Sequence, residues 1–321
     1  MRALPRVAHM PTRPAPPRSD HPGRAREATI AELLATSDRP LFSFEFFPPK
    51  DETQQRQLWQ AIRELESLGP DFVSVTYGAS GSTRDRTIVA TEAIARETTM
   101  RAMAHLTCAS QSRDQLRRVV GSYAAAGVRH VLAIRGDMPG GPGVPWQAHP
   151  EGLNNATELV AMVRELGDFC VGVGAFPDPH PEQGDADLDA RVLVAKAEAG
   201  ASFAITQLFF TPNAYFDLVA RVRALGCDLP IIPGIMPITN VKQVARFAEL
   251  SGAALPTAVT ERIAEVADDE DQVRRVGIEL GVELSEALLA GGAPGLHYYT
   301  QNRSRATREI YARLHPALRR G

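Results

Sequence analysis

The sequence predicts an α/β protein: a single (β/α)8 TIM barrel with extra helices before the last strand. Three observations predict it. Eight short runs rich in β-branched and aromatic residues each lead into a longer segment with helical spacing. The runs read as nearly uninterrupted apolar sequence, as parallel strands covered on both faces do, yet several carry a polar residue toward the C-terminal end. Two loops rich in Gly and Pro, 136–150 and 176–185, follow strands, on the side where barrel active sites are built. An open doubly wound sheet shows the same alternation, but eight strands fit one closed barrel better than two domains.

The strands are predicted at 41–47, 72–77, 101–107, 130–135, 170–176, 203–210, 231–236 and 295–300. Helical spacing covers 51–68, 84–99, 111–126, 154–167, 186–199, 212–225, 239–250, 256–267, 270–290 and 303–314. Residues 1–27 stand apart, with Pro5, Pro11, Pro14, Pro16, Pro17 and Pro22 interleaved with arginines and no apolar period. They read as a disordered tail rather than a transit peptide, which would be amphipathic and Ser-rich. The barrel domain is expected over 28–321.

Composition narrows the function. With 35 basic and 38 acidic residues the formal charge is −3, which argues against bulk electrostatic binding to nucleic acid or an anionic membrane. Hydrophobic residues at 44% and charged residues at 23% suit a globular enzyme. No apolar run approaches the roughly 20 residues that span a bilayer. Cys108, Cys170 and Cys227 are too few and too scattered for a disulfide framework or a zinc site, and they read as reduced thiols of a cytoplasmic protein. No metal is expected.

Polar residues in the strands mark the candidate site. Glu45 lies in a run with Phe42, Phe44, Phe46 and Phe47. A carboxylate in apolar surroundings either pairs or takes up a proton, and Arg135 is the candidate partner. Thr76, His105, Thr107, Arg135, Asp137, Thr206, Gln207 and His297 sit in or at the ends of other strands. Together they imply a polar, partly buried site at the barrel mouth. There is no G-x-S-x-G elbow, P-loop or H-E-x-x-H. Glu45 and Asp137 would also suit a carboxylate-pair glycosidase, but 2 Trp and 6 Tyr are few faces for binding sugars. Gly172 and Gly174, inside a strand pattern without a third glycine, read as a packing feature rather than a dinucleotide loop.

Taken in order, several stretches resemble the methylenetetrahydrofolate reductase family. They are Phe44 to Lys50 (FEFFPPK), Asp71 to Gly78 (DFVSVTYG), Ser82 to Thr87 (STRDRT) and His105 to Cys108 (HLTC). Arg135-Gly136-Asp137, His180-Pro181-Glu182, Ala204 to Phe210 (AITQLFF), Pro233 to Pro237 (PGIMP) and His297 to Arg303 (HYYTQNR) follow. The resemblance implies a barrel that binds FAD non-covalently at its C-terminal face. It implies hydride transfer from NADH or NADPH through the flavin to 5,10-methylenetetrahydrofolate, giving 5-methyltetrahydrofolate for methionine synthesis. It suggests the short bacterial form without a regulatory module on this chain, as a homo-oligomer.

The resemblance also assigns roles. Glu45 matches the acid that protonates N10 of folate, and Asp137 the carboxylate between flavin and folate. Gln207, Gln243, Phe247 and Arg303 match folate contacts, Arg303 toward the glutamyl carboxylate. Thr76, Tyr77, His105, Arg135, Gly136, Asp137, Ala156, Phe176, His180, Asp189 and Lys196 match flavin contacts, Lys196 facing the diphosphate. Four positions depart from the family: Asn155 and Phe176 stand where Tyr is common, and Val192 and Ala195 where some members have Asn and Arg. These departures bear on FAD affinity more than on the reaction. A flavin-independent reductase of the same substrate and a non-catalytic folate-binding subunit are the alternatives.

Overall fold

A computed structural model describes residues 28–77, 81–141 and 143–318; the Pro- and Arg-rich tail 1–27 lies outside the described residues. The elements run α1 (Ile30–Thr36), β1 (Leu41–Phe46), α2 (Glu52–Glu66), β2 (Phe72–Val75), α3 (Gly81–Glu97), β3 (Ala102–Thr107) and α4 (Arg113–Ala125). They continue with β4 (His130–Ile134), α5 (Ala156–Leu166), β5 (Cys170–Ala175), α6 (Ala186–Glu198), β6 (Phe203–Thr206), α7 (Pro212–Ala224), β7 (Ile231–Ile232) and β8 (Gly234–Ile235). Last come α8 (Val241–Ser251), α9 (Thr257–Ala264), α10 (Glu270–Ala290), β9 (Gly295–Tyr299) and α11 (Arg305–Leu318).

All strand pairs are parallel, in the order β7-β6-β5-β4-β3-β2-β1-β9-β8. The two ends of this sheet, β7 and β8, are halves of one predicted strand divided at Pro233, so the sheet comes round on itself as a barrel. Proline has no N–H for the ladder. Beyond it, the Gly234 N–H donates to the Thr206 hydroxyl at 2.9 Å, and the Pro233 carbonyl accepts from the His297 N–H at 3.0 Å. The second and sixth strands are shorter than predicted, ending at Val75 and Thr206, and α1 occupies a stretch to which the sequence assigns no element.

Strand side chains alternate between two cores. Phe42, Phe44, Phe46, Val73 and Val75 point outward into the layer under the helices, with Leu58, Ile62 and Leu65 of α2. Phe72, Met103, Leu132, Cys170, Phe203, Ile205 and Ile232 fill the barrel interior, and Ile30 of α1 packs against them from the floor. Gly172 leaves room for this filling: a Cβ there would lie 2.6 Å from the Phe203 ring, which confirms its reading as a packing residue. Among the described residues no helix is long and apolar enough to cross a membrane.

Candidate active site

The alternation that buries the phenylalanines outward turns Ser43 and Glu45 inward. Glu45 is therefore not surrounded by Phe42, Phe44 and Phe46, as its place in the sequence suggests; they lie on the opposite face of the strand. The parallel register sets Glu45 beside Ser74 on β2 and Tyr299 on β9. Its Oε2 lies 3.4 Å from the Ser74 hydroxyl, 3.4 Å from His105 Nε2 and 3.5 Å from His297 Nε2. The Glu45 backbone carbonyl accepts from the Thr300 hydroxyl at 2.6 Å, which fixes the strand end. Burial lowers the His105 pKa to about 4, against an upward pull from Glu45, so this imidazole is neutral at ordinary pH. The Tyr299 phenol is pushed well above its usual range by burial and then by Glu45, and it donates to the Thr206 carbonyl at 2.5 Å.

Arg135, the expected partner of Glu45, goes elsewhere. Its guanidinium forms a two-pronged pair with Glu182 at 2.7 and 2.6 Å and lies 4.9 Å over the Trp146 ring. These hydrogen bonds, donated by Arg135 to Glu182, raise the Arg135 pKa and lower that of Glu182. Next to Arg135, Gly136 has φ +79°, and a Cβ there would come within 2.7 Å of Thr107. Only glycine suits both demands, so the chain turns tightly here and presents Asp137 in the exposed loop after β4.

A second group forms between the ends of β5 and α6. The His180 ring meets Phe176 edge-on at 4.6 Å, and its Nδ1 accepts from the Glu182 N–H at 3.2 Å. The His180 N–H donates to Asp189 at 2.8 Å. Lys196 is not on a solvated helix face: its ammonium donates to the Gly174 carbonyl at 2.9 Å, and burial lowers its pKa to about 8 against the pull of Asp189. Arg135, Phe176, His180, Asp189 and Lys196, scattered over sixty residues of chain, thus share one corner of the mouth.

The other predicted residues lie on separate elements. Thr76 and Tyr77 follow β2, and the Tyr77 hydroxyl donates to Gln111 at 3.2 Å. Gln207 follows β6, where its side-chain oxygen accepts from the Leu208 N–H at 2.9 Å. Ala156 is buried as the first residue of α5, and Asn155 caps that helix by accepting from the Glu158 N–H at 3.0 Å. The asparagine at this departure from the family pattern therefore has a local structural role. Val192 is an exposed apolar residue on α6. Arg303 is exposed and lines a cavity with Asn240, Glu270, Arg274 and Tyr299, the last being the register partner of Glu45. The side chains of Gln243 and Phe247, on α8, lie outside the described residues. Sequence reasoning did not select Ser43, Ser74 or Trp146, and it noted Glu182 and His297 without giving them a role. The inward register of β1, β2 and β9 is the signal that finds three of them.

Comparison with known proteins identifies a family and a fold. A family model described as methylenetetrahydrofolate reductase matches residues 29–315. A 5,10-methylenetetrahydrofolate reductase of Pectobacterium carotovorum subsp. carotovorum is 38% identical over 279 residues, covering 87% of this chain and 91% of the relative. That of Escherichia coli (strain K12) is 37% identical, covering 87% and 92%. Among solved structures, a Clostridium thermocellum protein that binds two copies of 5-methyl-5,6,7,8-tetrahydrofolic acid has a similar fold, with a TM-score of 0.62 at 14% identity over 88% of this chain and 97% of that one.

Proposed function

Since the chain belongs to the methylenetetrahydrofolate reductase family, we propose that it reduces 5,10-methylenetetrahydrofolate to 5-methyltetrahydrofolate with NAD(P)H, through bound FAD, as a cytoplasmic homo-oligomer supplying methyl groups for methionine. The observation that carries this reading is the family match over residues 29–315, with Glu45 at the centre of the inward polar group. Glu45 gives a proton to N10, the bond from the methylene carbon to N10 breaks, and an iminium forms at N5. Hydride then adds to the methylene carbon and leaves the methyl group. A positioned acid contributes about 10²–10⁴-fold to such a step. The Asp137 carboxylate balances the cationic iminium, Gln207 donates to and accepts from the pterin edge, and Arg303 meets the glutamyl carboxylate.

The residues fit a flavin. His105 Nε2 and Thr107 Oγ1 are buried at the mouth without a hydrogen-bond partner among the described residues, which is costly in a finished protein interior. The Arg135 guanidinium and the Lys196 ammonium place two cations beside the side-chain-free Gly136 and Gly174, next to the His180 ring, which suits an anionic cofactor. When bound, FAD supplies the hydride relay between NAD(P)H and folate. Lys196 and Arg135 would hold its charged part, and Phe176 and His180 would flank it. Asn155, Val192 and Ala195 offer it less than the family pattern does.

The test is the absorbance spectrum and flavin stoichiometry of the purified protein, followed by anaerobic NAD(P)H oxidation with and without 5,10-methylenetetrahydrofolate. Bound flavin and folate-dependent turnover are expected. Turnover without flavin would establish direct hydride transfer, and neither would sink the reading.

A further inference from the structure

Behind Glu45 lies a pair of side chains to which the proposed reaction assigns no role. Ser43 and His297 are register partners on β1 and β9, and both are fully buried. The His297 ring stacks on Phe72 at 5.8 Å and meets Tyr299 edge-on at 5.5 Å, so its orientation is fixed. Its Nδ1 lies 2.7 Å from the Ser43 oxygen. Its Nε2 faces Glu45 Oε2 at 3.5 Å and the Ser74 oxygen at 3.4 Å. Together with Ser74 and His105, every described contact of the Glu45 carboxyl converges on Oε2; among the described residues none reaches Oε1.

The Ser43–Nδ1 contact admits two proton arrangements: Nδ1–H donating to Ser43, whose own proton then goes to the Leu296 carbonyl, or Ser43 donating to Nδ1. Ser43 has one hydroxyl proton and two acceptors in reach, His297 Nδ1 at 2.7 Å and the Leu296 carbonyl at 3.3 Å. Only donation to Nδ1 leaves an Nε2–H to face Ser74 and Glu45. Nδ1 then accepts, and a neutral imidazole must carry its proton on Nε2, toward Glu45. The Ser74 hydroxyl is a second donor to the same oxygen. A carboxyl oxygen offered two donors does not hold the acid proton, so that proton resides on Oε1. After the proton has left, the same donors stabilise the carboxylate that remains.

We infer that Ser43 and His297 are a positioning pair: they fix the imidazole as its Nε2–H tautomer, hold Glu45 Oε2 as an acceptor and direct the acidic proton to Oε1. The inference rests on the reading of Glu45 as the acid for folate. Two measurements test it. In the protein labelled with ¹⁵N-histidine, the resonances lost in His297→Gln identify His297. They should report a neutral ring protonated on Nε2; an Nδ1–H ring or an imidazolium would overturn the inference. This result does not depend on activity, so it stands apart from a failure to find folate reduction. In kinetics, Ser43→Ala should lower kcat about tenfold with little change in KM, the loss of one hydrogen bond in a charged network. Ser43→Thr, which keeps the hydroxyl, should restore most of it. In a Glu45→Gln background the Ser43→Ala change should cost nothing further, whereas a second tenfold loss would show that Ser43 acts independently of Glu45. Should Ser43→Ala fail to fold, the tautomer of the unmodified protein still decides.

Discussion

The floor and the mouth of the barrel hold similar buried histidines in opposite states of completion. At the floor, His130 Nε2 accepts the Ile30 N–H at 3.3 Å, and α1 closes an interior filled by Phe72, Met103, Leu132 and Phe203. At the mouth, His105 Nε2 is equally buried but has no hydrogen-bond partner among the described residues and stands 3.4 Å from the Glu45 carboxyl group. Both rings are held at a pKa of about 4, principally by burial. The floor is a solved packing problem. The mouth keeps polar groups close together and under-satisfied, an arrangement that costs stability unless a ligand completes it.

The comparison can be broken from either end. The largest effect is expected at the mouth: Glu45→Gln should lower folate reduction by about 10²–10⁴-fold while leaving reduction of bound flavin by NAD(P)H nearly normal. Stopped-flow measurement of the two half-reactions checks this, and an equal loss in both would make Glu45 structural. One residue away on the same strand, Phe44 faces the helix layer and is fully buried. Phe44→Ala should cost about 3–5 kcal/mol of stability, with turnover per folded molecule preserved. Urea titration alongside active-site counting separates these outcomes; a loss of turnover in the folded fraction would mean that the two faces of β1 are coupled.

Asp137→Asn keeps the shape and removes the charge. Folate reduction should fall by about one to three decades, at about 1.4 kcal/mol per decade, and the flavin midpoint potential should rise. Potentiometry and single-turnover rates on one preparation test both, and an unchanged potential would move Asp137 away from the flavin.

The smallest effect is at the floor. His130 has a folded pKa of about 4 against 6.5 for the free side chain, so the unfolded chain takes up the proton first. Its contribution is complete above pH 6.5 and is lost as the pH falls toward 4. His130→Gln can still accept from Ile30 but cannot titrate. The stability difference between the two proteins should therefore change by about 2–3 kcal/mol across that window. Denaturation curves at several pH values read it, and a constant difference would show that His130 takes a proton as easily folded as unfolded.

Much of the fold is legible in the chain because its signals are local. The alternation of strands and helices depends on side-chain period, and each element overlaps a predicted stretch, with α3 starting three residues earlier and α11 ending four later than predicted; the exception is α1, which is only seven residues long and whose one fully buried side chain is Ile30. The run Leu41 to Phe46 looks uniformly apolar around Glu45. Only its two-residue period, with one face under helices and the other inside the barrel, separates the acid from its phenylalanine neighbours. Gly136 and Lys196 were singled out by resemblance alone; the reasons for them, a tight approach to Thr107 and an enclosed ammonium on the Gly174 carbonyl, are spatial.

By itself the sequence determined the barrel class and the family, since each depends on short patterns repeated in order. Tertiary structure alone decided which polar groups meet. Closure brings β9 beside β1, so His297 reaches Ser43 and Glu45 across more than 250 residues of chain. The turn after β5 sends Glu182 to Arg135 and leaves Glu45 to two imidazoles and a serine. Pro233, which cannot donate to a ladder, splits the strand where the barrel closes. The physical reason is one of range. Side-chain period is set within a few residues, but the register between distant strands is fixed only when the whole sheet curls and its interior fills.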